Sequence, residues 1–495
     1  MNTKAMRQRT ICILLPLIPL VFLNSNKSVS EPIGPQSRPN IIYVFADQWR
    51  AQATGYAGDP NVQTPNIDAL AAKSVNFANA VSVMPICTPY RAALLTGRYP
   101  ANTGMFLNDL YLPAAELTMA EIYKEAGYET AYIGKWHLDG HGRSSYIPKE
   151  RRQGFDFWMG NECSHEYYQS IYYAGEDTTA RYWDDYDVFA QTKAAEAYIN
   201  GRSASDNPFI LVLSYGPPHT PRHEVPERYK AMYPVESIKL SPNVPERMAK
   251  RVREEAAGYY ANCTAIDSCI GALQRTIKAA GIHENTIFVF TSDHGEMLGS
   301  HGAGSGTKQR PWEESIRVPF LLSYPARLGV EGKEINVPIN TPDILPTLLG
   351  LAGVDKPQVL EGDDLSDLIT GEQVMDDRAA LIMNMAPFAD YKDGHEYRGI
   401  RTARYTYVRN LEGPWMLYDN QQDPYQLNNL VNTPGKKGLQ ERLDRELNKL
   451  LRATGDELLP RAHYIEKWGY TVSPRNGAIP YEGESHRVQS PTGIE

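Results

Sequence analysis

Four stretches of the chain are apolar at nearly every position: Asn40-Ile-Ile-Tyr-Val-Phe-Ala-Asp47, Thr130-Ala-Tyr-Ile-Gly134, Pro208-Phe-Ile-Leu-Val-Leu-Ser-Tyr215 and Asn285-Thr-Ile-Phe-Val-Phe-Thr-Ser-Asp293. Such runs lack the alternation of a half-exposed strand, and they predict strands covered on both faces of a mostly parallel sheet. Helical patterns lie between them. In 254–280, Ile266, Ile270, Leu273 and Ile277 form one apolar stripe, and Gly281 stands at the expected stop. Beyond about residue 375 the texture changes to short alternating segments such as Tyr397-Arg-Gly-Ile-Arg-Thr-Ala-Arg-Tyr-Thr-Tyr-Val408, typical of antiparallel strands, followed by a charged helix over 439–451. The pattern predicts an α/β fold: a large mixed, mostly parallel sheet flanked by helices over 38–375, and a smaller α+β domain with an antiparallel sheet over 376–495.

Each buried strand runs into a reactive cluster: Asp47-Gln48-Trp49, Lys135-Trp136-His137, Pro217-Pro218-His219 and Asp293-His294-Gly295. In open α/β sheets ligands bind outside the carboxyl ends of the strands, so these four clusters are expected to meet at one site.

Composition narrows the class. Of 495 residues, 42% are hydrophobic and 22% charged, ordinary values for a globular chain with a large core. The formal charge is −9 and no Lys/Arg tract appears, which argues against a nucleic-acid partner, because phosphate backbones reward clustered positive charge. At the start, Lys4, Arg7 and Arg9 precede an apolar stretch over 11–23 interrupted by Pro16 and Pro19 and followed by polar residues to 30. That is the layout of a signal peptide, 1–30, rather than of a stable membrane anchor, so the protein is expected to be secreted or periplasmic. Five cysteines make no disulfide framework. Cys263 and Cys269, six apart on a helix, point to different faces and are not expected to pair.

The sharpest local signal is Cys87-Thr-Pro-Tyr-Arg91-Ala-Ala-Leu-Leu-Thr-Gly-Arg98. A lone Cys is usually a small buried hydrophobe. Here Arg91 would set a fixed cation one turn into a helix whose N-terminus adds partial positive charge, an arrangement that suits an anion facing position 87. At two other strand ends, Asp47 and Asp293 offer hard oxygen ligands that suit Ca²⁺ or Mg²⁺ better than a soft transition metal.

These residues resemble the sulfatase family, whose signature Cys-X-Pro-X-Arg with a Thr-Gly-Arg end stands here complete. In family order follow Ala46-Asp47, Thr64-Pro-Asn-Ile-Asp68, Gly134-Lys-Trp-His137, Pro218-His219, Ser292-Asp-His-Gly295 and Glu314-Ser-Ile-Arg-Val-Pro319, with Tyr397-Arg-Gly-Ile-Arg401, Leu417-Tyr-Asp419 and Asp423-Pro424 near the end. The resemblance implies an alkaline phosphatase-like fold. It implies that a formylglycine-generating or anaerobic maturation enzyme oxidises Cys87 to formylglycine, whose hydrated aldehyde supplies one hydroxyl to attack sulfur and a second to expel sulfate. It implies one Ca²⁺ at Asp47, Gln48, Cys87, Asp293 and His294. Relatives usually carry Asp where Gln48 stands, so this site has one negative charge fewer. It further implies that Arg91 and Lys135 fix formylglycine and sulfate, that His137 assists the diol, and that His219 and Lys308 face the bridging oxygen. Arg310 is a rival for the last role.

Substrate choice must come from the rim. The segment Asn161-Glu-Cys-Ser-His165-Glu-Tyr-Tyr-Gln-Ser-Ile-Tyr-Tyr173 and the nearby His141-Gly-Arg143 mix aromatic, cationic and acidic groups that suit sugar rings, and the chain holds 31 Tyr against 12 Phe. His165, Arg143, His141 and Glu162 are the expected substrate contacts, and a sulfated carbohydrate is the expected substrate. The alternatives are a phosphonate or phosphate diester hydrolase of the same superfamily, or a catalytically silent protein that binds sulfated glycans.

Overall fold

The computed structural model describes residues 1, 2 and 38–480; the remainder of the expected leader and its cleavage region lie outside the described residues. Everything below concerns the compact unit that begins at Arg38.

Its centre is a ten-stranded sheet. In spatial order the strands are Lys333–Ile335, Val75–Phe77, Phe320–Ser323, Thr286–Ser292, Asn40–Asp47, Phe209–Pro218, Glu129–Lys135, Phe157–Asn161, Ile171–Ala174 and Arg181–Tyr182. The five strands from Thr286–Ser292 to Phe157–Asn161 run parallel, and antiparallel neighbours flank them on both sides. All four apolar runs read from the sequence lie within this parallel core. Their residues are buried on both faces, which is why no alternation shows in the sequence. On one side Ile42, Val44, Leu211 and Leu213 pack with Ile266, Ile270, Leu273 and Ile277 of the helix Ala249–Ala279. On the other, Ile41, Tyr43, Ile210 and Val212 pack with the helices Cys87–Thr96 and Thr341–Ala352. The long helix starts five residues before the predicted 254, because Ala249 and Val252 are buried as well.

The segment after 375 forms a four-stranded antiparallel sheet, Ala379–Asn384, Tyr397–Thr402, Tyr405–Asn410 and Gly413–Asp419, then the helix Lys437–Ala453. Period-two alternation assigns its faces. Leu381, Ile400, Tyr407 and Leu417 turn toward Leu443, Leu447 and Leu451 of that helix, while Ala380, Ile382, Val408 and Met416 turn toward Val81 and Ile316. Arg398 lies fully buried in this sheet, forked onto Asp456 and hydrogen-bonded to Tyr464 Oη at 2.9 Å. Replacing Arg398 with Met leaves a buried carboxylate without its cation and is expected to lower stability by about 3 kcal/mol in urea unfolding. A loss under 1 kcal/mol would show that Asp456 finds water instead.

Among the described residues no helix is long and apolar enough to cross a membrane, and Cys87, Cys163, Cys263 and Cys269 are all free thiols.

Candidate active site

Because the central strands are parallel, their carboxyl ends share one edge. Asp47 and Lys135 are the last residues of their strands, and His219 and Asp293 directly follow theirs. The helix Cys87–Thr96 points its N-terminus at the same edge, with Cys87 as its first residue and Gly97 closing it at φ 62°. No side chain caps the N-cap residue Ile86, and the Thr88 amide is met by Asn108 Oδ1 at 3.1 Å, so the helix's partial positive charge faces the position of Cys87.

The Cys87 sulfur is 1% exposed and surrounded by cations. It lies 3.1 Å from Lys308 Nζ, 3.4 Å from His294 Nε2 and 3.7 Å from Asp47 Oδ1. Burial opposes ionisation, yet Lys135, Lys308 and His294 together hold the thiol well below its usual range. Arg91 is equally buried and donates to Lys135 O at 2.6 Å, to Ser214 Oγ at 2.7 Å, and more loosely to Asp47 and Asp293 at 3.4 and 3.3 Å. Lys135 Nζ reaches Asp47 Oδ2 at 2.6 Å. Five chain segments are thereby tied into one buried, charged knot.

The two carboxylates respond in opposite ways. Despite burial and the neighbouring thiol, Lys135 first, with Lys308, keeps Asp47 below the ordinary carboxylate range. Asp293 is pushed up, by burial first and then by the charge of Asp47, with only partial relief from His294. Two acidic groups that cannot both ionise comfortably are a ready binding place for a cation. Asp47, Cys87, Asp293 and His294 each offer a ligand atom, all within 4.8 Å of one another. The neighbouring Gln48, whose N–H donates to Asp293 Oδ1 at 2.9 Å, has a further oxygen to offer. Its Nε2 donates to Glu296 Oε2 at 2.5 Å, and its Oε1 is buried without a hydrogen-bond partner. Fixing the amide nitrogen on a carboxylate leaves the carbonyl oxygen as the end free to ligate. Three hard oxygens with one imidazole fit a Ca²⁺- or Mg²⁺-type ion.

Opposite the knot stand His219 and Lys308. His219 Nδ1 lies 2.8 Å from Thr220 O and its Nε2 lies 3.1 Å from Lys308 Nζ. Burial, then Lys308, pushes the imidazole well below its usual range, so the neutral ring donates from Nδ1 to the carbonyl and accepts from Lys308 at Nε2. Arg310 turns away and stacks over the Tyr391 ring at 3.6 Å, which leaves Lys308 as the cation of that loop next to the sulfur. His165 stacks on His219, ring centroids 4.5 Å apart. His141 lies on the surface beside Asp139 and Tyr111.

Two residues expected on the substrate rim are committed elsewhere. Glu162 is 1% exposed and accepts the backbone N–H groups of Leu138, Asp139 and Gly140 at 3.0–3.2 Å, clamping the turn after His137. Burial pushes its carboxyl up to about 7. Arg143 forks onto Asp109 at 3.0 and 2.9 Å. Charged loop residues read as solvated unless a partner is visible, and these partners are distant in sequence. Asp109 carries no signal because it sits in a loop outside any motif, while Ser214, inside the strand Phe209–Pro218, and Glu296, just past the Asp293 cluster, carry none because their partners Arg91 and Gln48 are distant in sequence.

The sulfatase family model matches residues 39–354, and that for the N-sulphoglucosamine sulphohydrolase C-terminal region matches 303–453. The chain is 51% identical to an ulvan-active sulfatase of Formosa agariphila over 489 residues, 98% of this chain and 96% of the relative. It is 31% identical to an endo-4-O-sulfatase of Bacteroides thetaiotaomicron, over 87% of this chain and 95% of that one. A crystal structure from Bacteroides fragilis, described as sulfatase yidJ, superposes with a TM-score of 0.77 at 30% identity, covering 88% of this chain and 99% of that one. With its alkaline phosphatase-like sheet and its charged cluster at the strand ends, the chain belongs to the sulfatase family and is a sulfuric ester hydrolase.

Proposed function

We propose that this sulfatase is exported and removes sulfate from a sulfated polysaccharide, with ulvan the first candidate, through a formylglycine made from Cys87 and a Ca²⁺ held by Asp47, Gln48, Asp293 and His294 beside position 87. The observation that carries the substrate class is the 51% identity, over nearly the full length of both chains, to an ulvan-active sulfatase. Export rests on the leader pattern over 1–30 and agrees with a polymer too large to import. Maturation requires a partner enzyme, of the formylglycine-generating or the anaerobic type. In this reading residues 38–375 hold the chemistry and 376–495 form a subdomain that buttresses it.

Formylglycine, once formed and hydrated, supplies a hydroxyl that attacks sulfur and a second that releases sulfate without a separate attacking water. A bound Ca²⁺ would supply positive charge against the sulfate oxygens. The chain's own residues do the rest. Arg91, held by Lys135 O and Ser214, and Lys135, held by Asp47, have no freedom to reorient, so their charge is aimed before sulfate arrives. Lys308 already donates to His219, and this pair on the open side is placed to give a proton to the departing sugar oxygen. His137 faces position 87 from the other side. His165, through its stack on His219, and His141 on the surface are assigned to the sugar.

Sulfate release from ulvan, from other sulfated polysaccharides, from a small aryl sulfate and from a phosphonate ester tests the substrate class, and a peptide mass across position 87 tests the aldehyde. Release from ulvan well above the rest supports the proposal. Hydrolysis confined to the phosphonate, or an unmodified thiol in fully active enzyme, would overturn it. Chelation is expected to lower turnover at least about a hundredfold, since a metal's charge contributes several kcal/mol to such transition states, and added Ca²⁺ should restore it. Turnover indifferent to chelator, with no metal found by elemental analysis, would remove the cation from the scheme.

A further inference from the structure

His137 is the most constrained residue of the site. It takes a left-handed backbone conformation, φ 56°, that a side chain with a Cβ adopts only when its surroundings enforce it. Its N–H donates to Glu162 O at 2.8 Å and its carbonyl accepts from Thr88 Oγ1 at 2.9 Å. At the ring, Nε2 lies 3.1 Å from Asp109 Oδ1. A carboxylate only accepts, so this nitrogen carries the proton. The other ring nitrogen, Nδ1, is buried with no hydrogen-bond partner among the described residues. Asp109 is itself fixed. Arg143 forks onto both its oxygens, its N–H reaches Thr88 Oγ1 at 3.3 Å, and it too has a positive φ, 63°. An imidazole whose backbone is tied to Thr88, the neighbour of position 87, thus has a fixed carboxylate on one ring nitrogen, the arrangement by which a third group fixes the tautomer and aim of a base.

We infer that Asp109 is a positioning residue for the sulfatase reaction: it holds the Nε2–H tautomer of His137 so that Nδ1 faces the group at position 87, and Arg143 serves Asp109 rather than the substrate. The inference rests on the chemistry proposed for position 87, and the peptide mass across that position separates failure of maturation from failure of the inference.

Asp109→Asn is the discriminating variant, because Asn is the same size and tolerates a positive φ. With position 87 modified to the same extent as in the parent protein, kcat is expected to fall about a hundredfold or more, the range of one general acid–base group, while KM changes less than about threefold. Asp109→Glu, which can still accept from Nε2, should recover at least about tenfold of that loss. In the full-length parent protein labelled with ¹⁵N-histidine, long-range ¹H–¹⁵N correlation should show a protonated Nε2 on His137, and that signature should change in Asp109→Asn. A purely structural role would shift melting without touching the tautomer. An unprotonated His137 Nε2 in the parent protein overturns the inference whether or not the variants fold, as does Asp109→Asn turnover within threefold of the parent's.

Discussion

Cys87→Ala is expected to abolish sulfate release, by about 10⁴-fold or more, on polymer and small aryl sulfate alike. The size of the loss follows from where the side chain sits. Lys308 and His294 flank the buried sulfur at 3.1 and 3.4 Å, and Arg91 and Lys135 are braced beside it. On the proposed mechanism, water entering the vacated space would lack both hydroxyls of the hydrated formylglycine, the one that attacks and the one that releases sulfate. The variant should still fold, because the sulfur is small and the helix Cys87–Thr96 is buried along its whole length by other residues. Loss of both activities with a preserved melting transition is therefore the expected pair of results. Activity above about 1% of the parent's would assign the attack to another group.

Asp47→Asn should be the most damaging isosteric change in the knot. Asp47 is fully buried, takes Lys135 Nζ at 2.6 Å and Arg91 at 3.4 Å on Oδ2, and turns Oδ1 toward His294 and Cys87. Neutralising it leaves Lys135 and Arg91 to share Asp293, and places an NH₂ donor among groups that are themselves donors. Breaking a buried pair from one side costs about 3–5 kcal/mol, and urea unfolding at pH 7 should show a loss of that order. The sign with pH is fixed. The folded carboxyl is held below its ordinary range, so its contribution is present in full above the unfolded value near 4 and is lost as pH falls through the folded one. The stability gap between parent and variant should thus be constant from neutral pH to about 5 and narrow only in acid. A gap that widens on acidification would contradict the charge assignment. On the proposed function, metal binding should weaken with it, and turnover should fall at least about a thousandfold, since a proposed cation ligand and the partner of Lys135 are both lost.

The comparison of these two residues with Asp109 shows what each level of description holds. Asp47 and Cys87 were legible because their signals are local: one ends an eight-residue apolar strand, the other opens a helix in a dense motif. The expectation that Arg143 and Glu162 lie on the rim was equally local, and it said nothing of their partners in the fold, Asp109 and the amides of 138–140, which lie 34 and 22–24 residues away across loops. Gln48 is an intermediate case. Its neutrality could be read directly, whereas the carboxylate of Glu296 behind its amide lies 248 residues along the chain.

By itself the sequence determined the class of sheet, the burial of its central strands and the gathering of four reactive clusters at one edge, because side-chain period and parallel connection leave few alternatives. Only the tertiary structure decided how those clusters are wired: which nitrogen of His137 meets the Asp109 carboxylate, which cation is braced and which turns away, and where the amide oxygen of Gln48 is left without a hydrogen bond. Those choices are made by loops, where no periodicity relates a residue to its partner, and they are enforced by the need of every buried polar group to find one.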